Sequence, residues 1–279
     1  MKAQLVSVHG GHSGEFCQHA KDSLEEVVQA YIDRGFRWVG ITEHMPPVSD
    51  PFVYADERAA GLDASALQCR FDDYFATCRR LKRQYREQID ILVGFETETY
   101  TGSEEFISAV MDRHRPDYFV GSLHHVDDME IDYTQEGYRQ AADRSGGLEN
   151  LYCRYFDQQL EMIQRLKPAV VGHFDLVRKF DPNYTMRLNR PAVRERVHRN
   201  LSVIKELGLI LDLNLAGFDK AAGEQYPSRD ILREAIELEL AIVPGDDSHG
   251  VNTVGRHFEE GVNLLTELGG NLEWRRPVN

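Results

Sequence analysis

Histidines and carboxylates recur along this chain at intervals that suit metal chemistry. Six short stretches carry them. They are His9-Gly10-Gly11-His12 with His19 beyond, Glu43-His44, Glu96 with Glu98, His124-His125, His173 with Asp175, and Asp246-Asp247-Ser248-His249. Neutral imidazole nitrogens and carboxylate oxygens are ligands of zinc, iron and manganese. A histidine taken blind is most often a hydrogen-bonded or exposed residue, so the case rests on the set, drawn from 11 histidines. The candidate metal ligands are His9, His12, His19, His44, Glu96, His124, His173, Asp247 and His249. A tetrahedral ion takes four ligands. The set therefore calls for two or three divalent ions (zinc, manganese or iron). Such ions lower the pKa of bound water towards neutrality and draw an anionic substrate.

The elements that must position these residues read as a strand–helix alternation. Seven short apolar segments predict buried strands over 4–9, 37–43, 89–96, 117–124, 169–174, 209–214 and 240–246. Near-continuous apolar runs suit a parallel sheet covered on its outer face. Helical patterns lie between them. One starts at Asp22-Ser23 and ends at Gly35; others cover 71–86, 148–166, 191–207, 228–238 and 254–268. The alternation predicts an α/β fold, and an irregular barrel suits the strand count better than an open sheet. Six of the predicted strands deliver a histidine or carboxylate at or just past their carboxyl ends, where parallel barrels keep their active sites. The stretch 46–69 is the long weakly patterned insertion, read as a rim or lid on a single domain over 1–279.

Composition narrows the function. Lys plus Arg is 32 and Asp plus Glu is 46, a formal charge of -14. So acidic a chain is a poor nucleic-acid binder, yet bound ions can reverse the sign locally and admit a small phosphorylated substrate. The four cysteines, Cys17, Cys69, Cys78 and Cys153, show no CxxC spacing. They are expected to be reduced and structural, with no thiolate site. Mean hydropathy is -0.47, and no apolar run approaches the roughly 18 residues of a membrane span. With no signal-peptide pattern at Met1-Lys2-Ala3-Gln4-Leu5, the expectation is a cytoplasmic protein with no membrane or nucleic-acid partner. Its oligomeric state is left open.

Several stretches together resemble the PHP (polymerase and histidinol phosphatase) family, and within it the monofunctional histidinol-phosphatase branch. They are His12-Ser13-Gly14-Glu15-Phe16 with His19, Ile41-Thr42-Glu43-His44-Met45-Pro46, and Gly94-Phe95-Glu96-Thr97-Glu98. Val120-Gly121-Ser122-Leu123-His124-His125-Val126 and Val171-Gly172-His173-Phe174-Asp175-Leu176 follow. The last are Asp212-Leu213-Asn214, Tyr226-Pro227-Ser228 and Gly245-Asp246-Asp247-Ser248-His249-Gly250. The resemblance implies a distorted (β/α)7 barrel with a trinuclear metal centre. One ion would take His9, His12, Glu96 and Asp247; a second would share Glu96 and add His124 and His173; a third would take His19, His44 and His249. The family's first motif is usually His-x-His, but the position two before His12 is Gly10. Either the two glycines bend the loop so that His9 and His12 both reach an ion, or that ion is held more weakly.

The resemblance implies hydrolysis of L-histidinol phosphate to histidinol and phosphate. Glu96, Asp247 and His249 are the expected catalytic residues. Arg178, with Lys179 beside it, is the expected phosphate contact unless the pair is simply a charged helix start, and Glu43 or Asp246 is the acid expected to face the substrate's ammonium group. The proton for the leaving group could come from bound water, a rim acid or a rim imidazole. Rival readings are another small phosphomonoester, C–N hydrolysis of the amidohydrolase kind, and a metal-binding module without catalysis. No predicted strand end offers the lysine that amidohydrolases often use, which weighs against the second. His125 is expected to point away from the site. Glu98 and Asp175 are expected to support it. His114, His198, His257 and the basic run Arg79–Arg86 are expected to be unrelated.

Overall fold

A computed structural model describes residues 3–277. Parallel strands β1 (Val6–Ser7), β2 (Trp38–Ile41) and β3 (Asp90–Val93) form one ladder in that order. β4 (Val120–Gly121) is followed by an antiparallel hairpin of β5 (His125–Val126) and β6 (Met129–Glu130). β4 then opens a second parallel ladder with β7 (Val170–Val171), β8 (Ile210–Asn214) and β9 (Ala241–Gly245). Each parallel strand lies inside a segment predicted as a strand. The hairpin was not predicted, because two-residue strands carry no usable period.

Backbone hydrogen bonds also join the ladders to each other. On one flank Asp117 N donates to Val93 O at 2.8 Å, Val120 N to Phe95 O at 2.9 Å, and Thr97 N to Val120 O at 2.9 Å. On the other, Val8 N donates to Pro244 O at 2.9 Å and Asp247 N to His9 O at 2.8 Å. Val6, Val8, Trp38, Val120, Val170 and Ile210 from both ladders pack into one buried cluster. Gly40 shows how tightly it is filled. A Cβ there would lie 1.7 Å from Tyr118 Oη, and that hydroxyl donates to Val8 O at 2.5 Å.

Helices cover the outer faces because their apolar stripes need a partner. α1 (Leu24–Asp33) starts at a capping box in which Ser23 and Glu26 satisfy each other's backbone N–H groups. α2 (Ala55–Ala59) and α3 (Ala64–Gln84) follow. α3 starts seven residues before the predicted 71, at an Asp63 cap whose side chain accepts from Ala66 N. The late prediction reflects its polar first turns, where Leu67 is the large apolar anchor. α4 (Ser103–His114) and α5 (Gln135–Arg144) were missed, since they bury narrow stripes: Ser103, Ile107 and Val110, and then Gly137, Tyr138, Ala141 and Ala142. α6 (Leu148–Leu166) and α8 (Pro191–Leu207) match their predicted bounds, with a short α7 (Tyr184–Leu188) between them. α9 (Arg229–Glu237) follows; α10 (Phe258–Glu267) starts later than 254, after a left-handed His257.

Candidate metal centre

The strand ends converge on a cavity of about 300 Å3. Glu96, just past β3, is the meeting point. Its Oε1 lies 2.7 Å from His173 Nε2, 3.3 Å from His124 Nε2 and 3.3 Å from His9 Nε2. Its Oε2 lies 3.0 Å from His44 Nδ1. The backbone makes this possible, because Glu96 forms parallel bridges to His44 on one side and Val120 on the other. Asp247, just past β9, is the second focus. Its Oδ1 lies 3.3 Å from His12 Nε2, 4.0 Å from His9 Nε2 and 3.7 Å from His249 Nδ1.

Donor atoms fall into groups within 4.8 Å of one another: His9, His12 and Asp247; Glu96, His124 and His173; and Cys17, His19, His44 and His249. His12, His44 and Glu96 form an overlapping group, as do His44, Glu98 and His124. All nine sequence candidates are in these groups. So is Cys17, which the sequence reading set aside. Its Sγ lies 3.3 Å from His19 Nε2. The Cys-x-His spacing at 17 and 19 was the available signal; a search for CxxC passes over it.

The chemistry of these groups fits bound cations. His9 Nε2, His12 Nε2, both His44 ring nitrogens, Glu96 Oε2 and Asp247 Oδ1 are buried and make no hydrogen bond. Unpaired buried polar atoms are costly, and an ion would satisfy them together. The opposite edges of the rings are tied. His9 Nδ1 donates to Asp212 Oδ2 at 2.8 Å, His12 Nδ1 to Glu43 Oε1 at 3.1 Å, and His124 Nδ1 to Asp132 Oδ2 at 3.4 Å. A carboxylate behind an imidazole fixes its tautomer and turns Nε2 towards the site, as at known metal centres.

Electrostatics point the same way. Burial opposes the charged form of every group here, so the neighbours decide. Glu96, Asp247 and Asp212 outweigh burial at His9 and raise it well above the usual imidazole range. His12 is raised to about 9 by the neighbouring carboxylates of Asp247 and Glu43, against its burial. Glu98, Asp132 and Glu96 do the same for His124. The imidazoles in turn hold Glu96 and Asp247 well below the usual carboxylate range. His19 and His249 are lowered to about 3 by burial and by neighbouring imidazoles. The centre thus carries ionised carboxylates that need positive charge, supplied by protons or by metal ions.

The substrate-binding expectations need correction. Arg178 does not line the cavity. Its guanidinium is buried, bonds Asp175 Oδ2 at 3.0 Å and Gln225 O at 2.6 Å, and lies between the Tyr184 and Tyr226 rings. Its neighbour Lys179 lines the cavity instead, with Nζ 2.5 Å from Asp132 O. A 3-10 turn over Leu176–Arg178 sends consecutive side chains in different directions, which sequence reading cannot resolve. Glu43 also misses the cavity. It is buried behind His12, and accepts from Ser13 N at 3.2 Å and His44 N at 3.2 Å. His125 is buried among Phe52, Tyr54 and Tyr100, with Nδ1 3.4 Å from Glu98 Oε2. His114 stacks on Phe75, and His198 and His257 pair with Glu234 and Asp219.

An α/β domain whose strand ends bring buried imidazoles and carboxylates into one cavity has the build of a metal-dependent hydrolase. Residues 10–216 match the PHP domain family, and the chain belongs to that family. It is 36% identical over 268 residues to the protein named "Probable histidinol-phosphatase" of Schizosaccharomyces pombe, covering 95% of this chain and 87% of that one. A crystal structure of a Listeria monocytogenes protein assigned as a histidinol phosphatase superposes with a TM-score of 0.81 at 28% identity, covering 91% of this chain and 99% of that one. The Lactococcus lactis histidinol phosphate phosphatase, solved with zinc, L-histidinol and phosphate, shares the fold. Its TM-score is 0.73 at 21% identity, covering 97% of this chain and 95% of that one.

Proposed function

We propose that the chain is a histidinol-phosphatase: a metal-dependent phosphomonoesterase that converts L-histidinol phosphate to L-histidinol and phosphate. The observation that carries this is the set of buried, unpartnered ring nitrogens and carboxylate oxygens converging on one cavity, in a chain whose named relatives are histidinol-phosphatases. The frame is a single domain in which the seven parallel strands close as a distorted barrel. Hydrogen bonds along both flanks between the two ladders support that closure.

Two or three ions would be held by His9, His12 and Asp247, by Glu96, His124 and His173, and by His19, His44 and His249. Glu96 and Asp247 lie between these groups. When bound, divalent ions activate water at neutral pH and neutralise charge on the phosphoryl oxygens. The residues of the chain do the rest. Asp212, Glu43 and Asp132 hold three imidazoles in the tautomer that presents Nε2. Lys179, rather than Arg178, offers an ammonium to the phosphoryl oxygens from the cavity wall. His249, with Nδ1 donating to Asp247 O at 2.9 Å, keeps its Nε2 lone pair free as a ligand atom beside His19 and His44, and the departing alkoxide would take its proton from water.

The test is phosphate release from L-histidinol phosphate by metal-loaded protein, beside a panel of other small phosphomonoesters. Preference for histidinol phosphate by orders of magnitude in kcat/KM is expected. Slow and equal cleavage of all esters would leave the metal chemistry and remove the substrate.

A further inference from the structure

Two kinds of wall line the cavity. One is the histidine cluster, with Lys179 and Lys220 also among the lining residues. The other is built largely by the insertion between β2 and α3 and the turn after β3. There Phe52 stacks on Tyr100 with ring centroids 4.1 Å apart, and Tyr54 lies 5.0 Å from Tyr133. Glu57, from α2, lines the cavity beside these rings, and Glu98 lies between them and His44 and His124.

The carboxylates lining the cavity can be sorted by what they already serve. Glu96 and Asp247 belong to the histidine cluster. Asp132 is engaged by His124 and Lys179. Glu98 accepts from Tyr54 Oη at 3.3 Å, lies 3.4 Å from His125 Nδ1 and shares a donor group with His44 and His124, whereas Glu57 accepts from Tyr54 N at 2.9 Å. Among the described residues, neither Glu57 nor Glu98 has a lysine or arginine within ion-pair distance. Glu57, half-buried, therefore faces an aromatic wall without a balancing side-chain cation. Aromatic faces and carboxylates together recognise organic cations.

We propose that this wall is the subsite for the cationic, heteroaromatic part of the substrate, with Glu57 selecting for positive charge and the surrounding rings for a flat ring. The inference rests on the proposed reading of the substrate, whose leaving group carries an ammonium and an imidazole. It assigns the insertion a task in recognition. It also explains how an acidic protein tells this ester from neutral ones of similar size, since leaving a charged group unpaired costs affinity.

Glu57→Gln is the informative variant, because the amide oxygen can still accept from Tyr54 N and Glu57 is in none of the donor groups. The readout is the ratio of kcat/KM for L-histidinol phosphate to that for p-nitrophenyl phosphate. The ratio is expected to fall about tenfold or more in Glu57→Gln, mostly through KM. The inhibition constant of L-histidinol should rise in step, and Glu57→Asp should recover part of both. An unchanged ratio, or equal losses on both esters, would overturn the subsite. Failure of the parent reading looks different: the unsubstituted protein would show no preference for histidinol phosphate at all.

Discussion

Glu96 and Asp247 are the residues on which the site turns. Each faces imidazoles from several strands, so replacing either should affect more than one donor group. Glu96→Gln and Asp247→Asn are both expected to lower kcat/KM by about 1,000-fold or more. Elemental analysis of the purified variants should show less bound metal per chain. Full metal content with full activity would remove them from the site. Lys179 and Arg178 make a paired prediction at the same scale. Lys179→Ala should leave the fold intact and cut kcat/KM by roughly 10- to 100-fold. Arg178→Ala should act on stability, because it strands buried Asp175. Breaking a buried pair costs about 3–5 kcal/mol, readable as a lowered denaturation midpoint. That the nine ligand candidates gather at one cavity was legible because residue type and strand-end position carry that information. The directions of Glu43, Arg178 and Lys179 were not, because they depend on backbone dihedrals at strand ends and in a 3-10 turn.

At the scale of elements, the loop after β1 is the informative one. His9 and His12 are separated by two glycines, yet both Nε2 atoms approach Asp247. Gly11 takes φ +79 and turns the chain between them. Gly10 is needed for room. A Cβ there would lie 2.4 Å from Asp246 Oδ1 and 2.9 Å from Tyr31 Oη. Placing a histidine at position 10, to restore a His-x-His pattern, is therefore expected to destabilise the protein and add no ligand. Thermal melts and metal analysis of Gly10→His and Gly10→Ala would check this; a stable Gly10→His with raised metal content would contradict it. The parallel strands and long amphipathic helices were readable from their periods. The β5–β6 hairpin, α4 and α5 were not, since short strands and narrow small-residue stripes leave a weak signal. The helical content of the insertion was hidden because its first turns are polar, and the capping is done by Asp63 and by Glu57, which accepts from Tyr54 N.

For the whole molecule, ions and fold should stabilise each other. Ligands drawn from every parallel strand except β8, and from the loops that follow, are brought together only in the folded state. Binding to the folded state alone adds stability of roughly 2.7 kcal/mol per site at a free-ion concentration a hundred times Kd. A chelator should therefore lower the melting temperature, and zinc or manganese should restore it. Acid should weaken the effect, because His9 and His12, both raised by neighbouring carboxylates, hold protons that the ions must displace, and the displacement grows costlier as pH falls. A melting temperature indifferent to chelation would separate the metal from the fold.

The flanks where the two ladders meet carry a consequence for motion. β2 and β3 are paired over four residues, and β8 and β9 over five. The flanks are joined by a few backbone bonds only, and they lie beside Glu96, His9 and Asp247. Local opening starts where the fewest bonds must break. In native-state hydrogen exchange, the amides of Val8, Thr97, Val120 and Asp247 should exchange sooner than those in the middle of β2 or β8. Ions at the mouth would clamp both flanks, so loading the protein with metal should slow these four amides more than the rest of the sheet.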